Sequence, residues 1–264
     1  MKGCLIAVLL YGLIVLAVYF FQRKLIYFPS KTRPSLGVLS SVYSQVYTKT
    51  ADEIQLLHWY ARQGRPVIVV FQGNAGSIED RGYKFRFLAD QGYSVLLVGY
   101  RGYGSSSGRP TEQNLIADSA LVVDWLLQKE QLSTKDIVFF GESLGSGVAI
   151  SLAVRYKVKG LIFEGAPSSV MEVAQGAYPF LPVRWLMKDT WNSGFRIKNI
   201  KDTPKLFIHA KQDSIVPFHL GRKLFNEALE PKKPLWLNRT GHVDNLDLVY
   251  KEVLDFLNSI RDSV

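Results

Sequence analysis

The sequence predicts an α/β protein: a mostly parallel sheet with helices on both faces, preceded by one membrane-crossing helix. Three observations predict it. From Pro66 onward, short runs of β-branched, leucine and aromatic residues alternate with stretches of helical spacing, the pattern of buried parallel strands joined by covering helices. The chain begins with a long uncharged apolar segment. And Asp136 to Gly147, DIVFFGESLGSG, is a buried-type strand that turns at once into a helix through Gly-x-Ser-x-Gly, the sequence form of a nucleophile elbow.

Cys4 to Phe21 is eighteen residues without a charge; as a helix it is about 27 Å long, enough to cross the hydrocarbon core. Gln22-Arg23-Lys24 closes it, and aromatics followed by basic residues read as an interfacial anchor. A cleaved signal peptide ending near Val15-Leu16-Ala17 is the rival reading, and a buried soluble helix is a third. The run continues through Val18-Tyr19-Phe20-Phe21, which favours a single-pass anchor over residues 1–24. Arg23, Lys24, Lys31 and Arg33 outweigh Lys2, so the positive-inside rule leans the following domain to the cytoplasmic side. The sequon Asn238-Arg239-Thr240 leans the same way, because a glycan there would crowd the expected site.

Residues 25–40, with two prolines, read as a linker, and 41–264 as the folded domain. Ser41 to Thr48 alternates and Ile54 to Tyr60 follows a polar turn, predicting an antiparallel hairpin. Parallel strands are expected at Val67–Phe71, Val95–Val98, Ile137–Phe140, Leu161–Phe163, Leu206–His209 and Leu235–Leu237. Helices are expected at Ile78–Gln91, Glu112–Glu130, Ser146–Tyr156, Phe218–Leu229 and Val243–Ile260. About 164–204 breaks the alternation with an aromatic-rich insertion. It reads as a cap over an apolar site, with Tyr178, Phe180 and Trp185 as candidate pocket residues; helices packed on the sheet are the alternative.

Composition narrows the function. The chain has 264 residues, 47% of them hydrophobic, which suits one large domain. A single cysteine, Cys4, excludes an intramolecular disulfide, and four histidines far apart with no cysteine beside them argue against a metal site. The net charge of +9 comes with no nucleic-acid motif and no long basic run. Beside an apolar anchor, attraction to anionic lipid and a merely solvated surface are equal readings of it.

Ser143 is the candidate nucleophile. Gly104-Ser105-Ser106-Ser107-Gly108 matches the same pattern, but Arg109-Pro110 follows it, so Ser106 belongs to a loop. A serine hydroxyl needs a neighbouring base, and that base an orienting acid; in open α/β sheets such groups lie beyond the carboxyl ends of strands. His242 follows the last strand and Asp213 the one before it. His209 lies within its strand, His219 in the next helix and His58 in the hairpin. Asp202 precedes its strand, Asp189 is inside the insertion, and Asp244 is placed to cap the last helix. The oxyanion needs two backbone N–H groups: one from Leu144, after the nucleophile, and one from the loop Gln72-Gly73-Asn74-Ala75-Gly76, where Asn74 is the candidate.

Together Gly141-Glu142-Ser143-Leu144-Gly145, Gln72-Gly73-Asn74-Ala75-Gly76, Tyr100-Arg101-Gly102-Tyr103-Gly104 and Gly241-His242 resemble the α/β-hydrolase superfamily. The likeness is to its small serine hydrolases with an N-terminal anchor. It implies the α/β-hydrolase fold from about residue 40, a Ser143–Asp213–His242 triad, and ester, thioester or amide hydrolysis through an acyl-enzyme. Similar proteins include depalmitoylases, lipid hydrolases and serine aminopeptidases, which implies an acyl or lipidic substrate, a lipidated protein among them. The aminopeptidase reading needs an acidic group for the substrate ammonium, with Glu164 or Glu172 as candidates. A membrane-tethered binding module of the same fold is the non-enzyme alternative. The family usually carries His-Gly-Asn where this chain has Gln72-Gly73-Asn74. No cofactor is required, since the serine supplies the nucleophile.

Overall fold

In the computed structural model, which describes residues 1–244 and 246–261, the apolar runs pair into a single eight-stranded sheet. Its strands are β1 (Ser44–Lys49), β2 (Gln55–Ala61), β3 (Gly64–Phe71), β4 (Tyr93–Val98), β5 (Ile137–Glu142), β6 (Gly160–Glu164), β7 (Lys205–Gln212) and β8 (Lys232–Thr240). They lie in the order β8-β7-β6-β5-β3-β4-β2-β1. The hairpin β1–β2 and the β2–β4 pair are antiparallel, and every other pairing is parallel. This is the α/β-hydrolase architecture the sequence predicts.

Strand alternation sorts the core into two layers. Val67, Val69, Phe71, Phe139, Leu161 and Phe163 face one cluster, while Ile68, Val70, Val138, Phe140 and Ile162 face the other. Both faces being buried, these strands carry no polar alternation. Helix α1 (Lys2–Ile26) precedes the sheet. Helix α2 (Ile78–Asp90) starts at a capping box of Ser77 and Asp80, and α3 (Glu112–Lys129) at Thr111, whose hydroxyl accepts the Asn114 N–H. Helix α4 (Leu144–Ala153) leaves β5 with no spacer, two residues earlier than its pattern predicts. Helices α3 and α4 cover the first layer.

The insertion divides by burial. It holds the short helices α5 (Val170–Ala177), α6 (Val183–Leu186) and α7 (Ser193–Ile197). Its second half packs on the sheet, with Trp191 and Ile197 fully buried, whereas Tyr178, Phe180 and Trp185 in the first half are exposed. The reading of helices packed on the sheet therefore holds for the second half of the insertion. Beyond it, α8 (Phe218–Glu227) follows β7 and α9 (Tyr250–Arg261) closes the second layer with α2. The last helix begins later than Val243, because Asp244 accepts the His242 N–H at 2.8 Å and holds a loop there. It is that loop, not the last helix, that Asp244 supports.

The stretch that reads as a linker is docked. Tyr27 is buried, Phe28–Pro29 pairs in parallel with Ala75–Gly76, and Lys31 Nζ donates to the Gly102 carbonyl at 2.8 Å. The cause lies at its start: Tyr27 donates to Asp189 at 3.1 Å and accepts from Trp191 Nε1 at 3.2 Å, pinning the chain against the insertion.

Candidate active site

Ser143 sits at the corner between β5 and α4 with φ 49° and ψ −117°, a conformation that costs a non-glycine residue energy. Its glycine neighbours make the corner possible. A Cβ on Gly145 would lie 2.1 Å from the Phe71 carbonyl oxygen, and one on Gly141 2.5 Å from Ser146 Cα. The Ser143 N–H donates to the Glu164 carbonyl at 2.8 Å, and Ser146 Oγ donates to the Gly141 carbonyl at 2.8 Å, so the turn is tied to β6 and closed on itself.

Two loops at the carboxyl ends of β7 and β8 meet this serine. His242 Nε2 lies 2.8 Å from Ser143 Oγ, and His242 Nδ1 lies 2.6 Å from Asp213 Oδ2. Asp213 Oδ1 accepts the N–H groups of Ile215 at 2.8 Å and Val216 at 2.9 Å. Burial pushes the Asp213 carboxyl up, but the His242 hydrogen bond and charge, with the two N–H donors, outweigh it and hold the group below its ordinary value. An ionised Asp213 only accepts, so Nδ1 carries the proton and Nε2 is left to accept from the serine hydroxyl.

Two of the other histidines have structural partners. His209 Nε2 donates to the Val216 carbonyl at 3.0 Å, and burial lowers its pKa, so it is a neutral strut beneath Asp213. His58 is fully buried between Thr48 Oγ1 and the Gly99 N–H, and burial depresses it to about 3. His219 is exposed on α8. Ser106 accepts the Leu57 N–H in its loop, Asp189 pairs with Arg23, and Asp202 occupies a positive-φ turn before β7. None of these joins Ser143.

The loop after β3 lies against the serine. A Cβ on Gly73 would be 3.5 Å from Ser143 Cβ. Asn74 is held from behind: its carbonyl accepts the Phe28 N–H and the Tyr103 hydroxyl, each at 2.8 Å, and its amide Nδ2 donates to the Ile26 carbonyl at 2.7 Å. Leu144 opens α4, whose N-terminus carries partial positive charge. Gln72, standing where the family usually has histidine, is buried, and neither atom of its amide group has a hydrogen-bond partner among the described residues. Of the cap aromatics, Tyr178 and Phe180 line an apolar cleft with α1, while Trp185 stands apart from it.

Sequence reasoning missed a charged cluster directly behind the elbow. Glu142, fully buried at the end of β5, accepts from Arg81 Nε at 2.8 Å and from Lys84 Nζ; Lys84 also reaches Glu164 Oε2 at 2.6 Å and the Val243 carbonyl. One signal was available: a glutamate closing an otherwise apolar central strand demands a cationic partner.

Residues 66–190 match the sequence profile of the alpha/beta hydrolase fold. The chain is 31% identical over 227 residues to the alpha/beta hydrolase domain-containing protein WAV2 of Arabidopsis thaliana, covering 76% of this chain and 73% of that one. This chain belongs to the α/β-hydrolase family. The hydrolase is also 32% identical over 225 residues to the lysophosphatidylserine lipase ABHD12 of Danio rerio, covering 76% of this chain but 58% of the relative. Among solved structures, the hydrolase superposes on the Pyrococcus furiosus esterase Pf2001 with a TM-score of 0.70 at 21% identity, over 88% of this chain and 97% of the other; at that identity the likeness speaks for the fold alone.

Proposed function

We propose that this hydrolase is a membrane-anchored serine hydrolase that cleaves an acyl ester or thioester with an apolar chain. The observation that carries the reading is the unbroken line from Ser143 Oγ through His242 to Asp213, at 2.8 and 2.6 Å. His242 takes the serine proton as Oγ attacks the acyl carbon, and returns it to the leaving oxygen or sulfur. The acyl-enzyme is then opened by water activated on the same histidine. The Asn74 and Leu144 N–H groups receive the oxyanion, each worth roughly 2.7–4 kcal/mol to the transition state.

The apolar substrate rests on two supports. One relative is a lysophosphatidylserine lipase. The other is α1, whose apolar window has mean hydropathy 2.7 with none of it buried in the protein, as suits a helix surrounded by lipid. Both carboxylates that the amine-recognising alternative would use are already engaged, Glu164 by Lys84 and Glu172 by Ser168 and Lys223.

Purified protein and a Ser143→Ala variant, both treated with a fluorophosphonate probe and then assayed on esters and thioesters of increasing chain length, test the proposal. Labelling and turnover are expected in the wild type alone, rising with chain length. Equal labelling of both proteins would move the nucleophile elsewhere. A folded wild type that neither labels nor turns over would leave a binding module.

A further inference from the structure

The cap is fastened to α1 at both ends of a long contact. At the charged end of α1, Arg23 pairs with Asp189 at 2.9 Å, and Gln22 both donates to the Leu186 carbonyl at 2.9 Å and accepts the Lys188 N–H at 2.7 Å. Farther in, the Tyr11 hydroxyl donates to the Phe180 carbonyl at 2.8 Å. Tyr11 and Arg23 are separated by about 18 Å along the helix, more than half the roughly 30 Å thickness of a hydrocarbon core. If α1 spans the bilayer with Arg23 at its surface, the first half of the cap must lie within the hydrocarbon core. The exposure of Phe180 (63%) and Trp185 (88%) fits that placement, since large apolar rings cost nothing against lipid.

Between the two fastenings lies an apolar cleft of about 220 Å³, walled by Ile14, Val18 and Ile26 of α1 and by Ala174, Tyr178 and Leu186 of the cap. The α1 residues recur at helical spacing on one face. The volume falls below the ~300–1,000 Å³ of pockets for drug-sized ligands, which suits one hydrocarbon chain. Ile26 links the cleft to the site: its carbonyl accepts from Asn74 Nδ2 at 2.7 Å, and Asn74 adjoins Gly73, which faces Ser143.

We infer that this cleft takes the acyl chain of a membrane-resident ester sideways from the leaflet, between α1 and the cap. The inference rests on the proposed reading of a membrane-anchored acyl hydrolase. The substrate chain then never crosses water, and the hydrolase selects substrates by their residence in the bilayer as well as by their ester.

The test uses the full chain in phosphatidylcholine vesicles. Ala174→Trp and Leu186→Trp each fill the cleft, and Leu13→Trp adds the same bulk on the far face of α1. The cleft-filling variants are expected to lose at least about tenfold in kcat/KM on a long-chain ester, while keeping short-chain turnover and fluorophosphonate labelling; Leu13→Trp should match the wild type on both. Equal losses on short and long chains, or none on either, would overturn the inference. A diazirine fatty acid in the same vesicles gives a second readout, independent of turnover and of whether a variant folds. Wild-type cross-links concentrated on Ala174, Leu181 and Leu186 sustain the cleft, even if the protein proves to hydrolyse no ester. Cross-links confined to the Leu9–Leu13 face of α1 sink it.

Discussion

Asp213→Asn is expected to lower kcat about 10⁴-fold with KM nearly unchanged. The magnitude follows from which way the new amide must face. Asp213 Oδ1 accepts two backbone N–H groups, from Ile215 and Val216. An amide nitrogen placed there would oppose two donors, so the asparagine carbonyl oxygen takes that position and its NH₂ turns to His242 Nδ1. Nδ1 must then accept, which moves the imidazole proton to Nε2, pointing at Ser143 Oγ. The base is in place but already protonated on the wrong nitrogen. Steady-state kinetics on one ester, with fluorophosphonate labelling rates as a probe of the serine itself, check this. A variant that keeps more than about a tenth of the wild-type kcat would remove Asp213 from the mechanism.

The placement of Asp213 was legible because each proposed catalytic group follows directly on a strand, and strands announce themselves locally. Val67–Phe71 and Ile137–Phe140 are apolar at every position because both faces of the sheet are covered, and their partners need not be known to read them. What stayed hidden depends on contacts made across the fold. Lys84 on α2 looks like any solvated helix lysine until β5 and β6 bring Glu142 and Glu164 beneath it. Arg23 reads as a membrane-flanking charge, yet its partner Asp189 lies far along the chain. The prolines of residues 25–40 suggested a free linker, whereas Tyr27 and Phe28 anchor it to the insertion and to the Asn74 loop. Local pattern reports burial within an element; it carries no information on which distant group completes a polar pair.

That hidden cluster makes the largest stability prediction: Lys84→Met should destabilise the hydrolase by about 3–5 kcal/mol near neutral pH. Burial pushes Glu142 up, but the charge of Lys84, and then of Arg81, outweighs it and holds the carboxyl below its ordinary value. Burial pushes Lys84 down, and Glu142 and Glu164 more than reverse it. The stabilisation in the wild type is therefore fully present above the unfolded carboxylate pKa. It fades only as pH falls through the depressed folded value of Glu142, or rises through the elevated one of Lys84. Without the ammonium, Glu142 has only Arg81 to set against its burial, so its carboxyl takes a proton more readily in the folded variant than in the folded wild type. The deficit of the variant should thus be larger at pH 8 than at pH 5. Chemical denaturation at the two pH values measures it, and adding Glu142→Gln should restore part of the loss. A deficit below about 1 kcal/mol that ignores pH would mean that the cluster is hydrated and weak. Activity should fall as well, because Lys84 also holds the Val243 carbonyl next to His242. The lysine thus couples the stability of the elbow to the position of His242: α2 clamps the ends of β5 and β6 and the histidine loop with a single ammonium group.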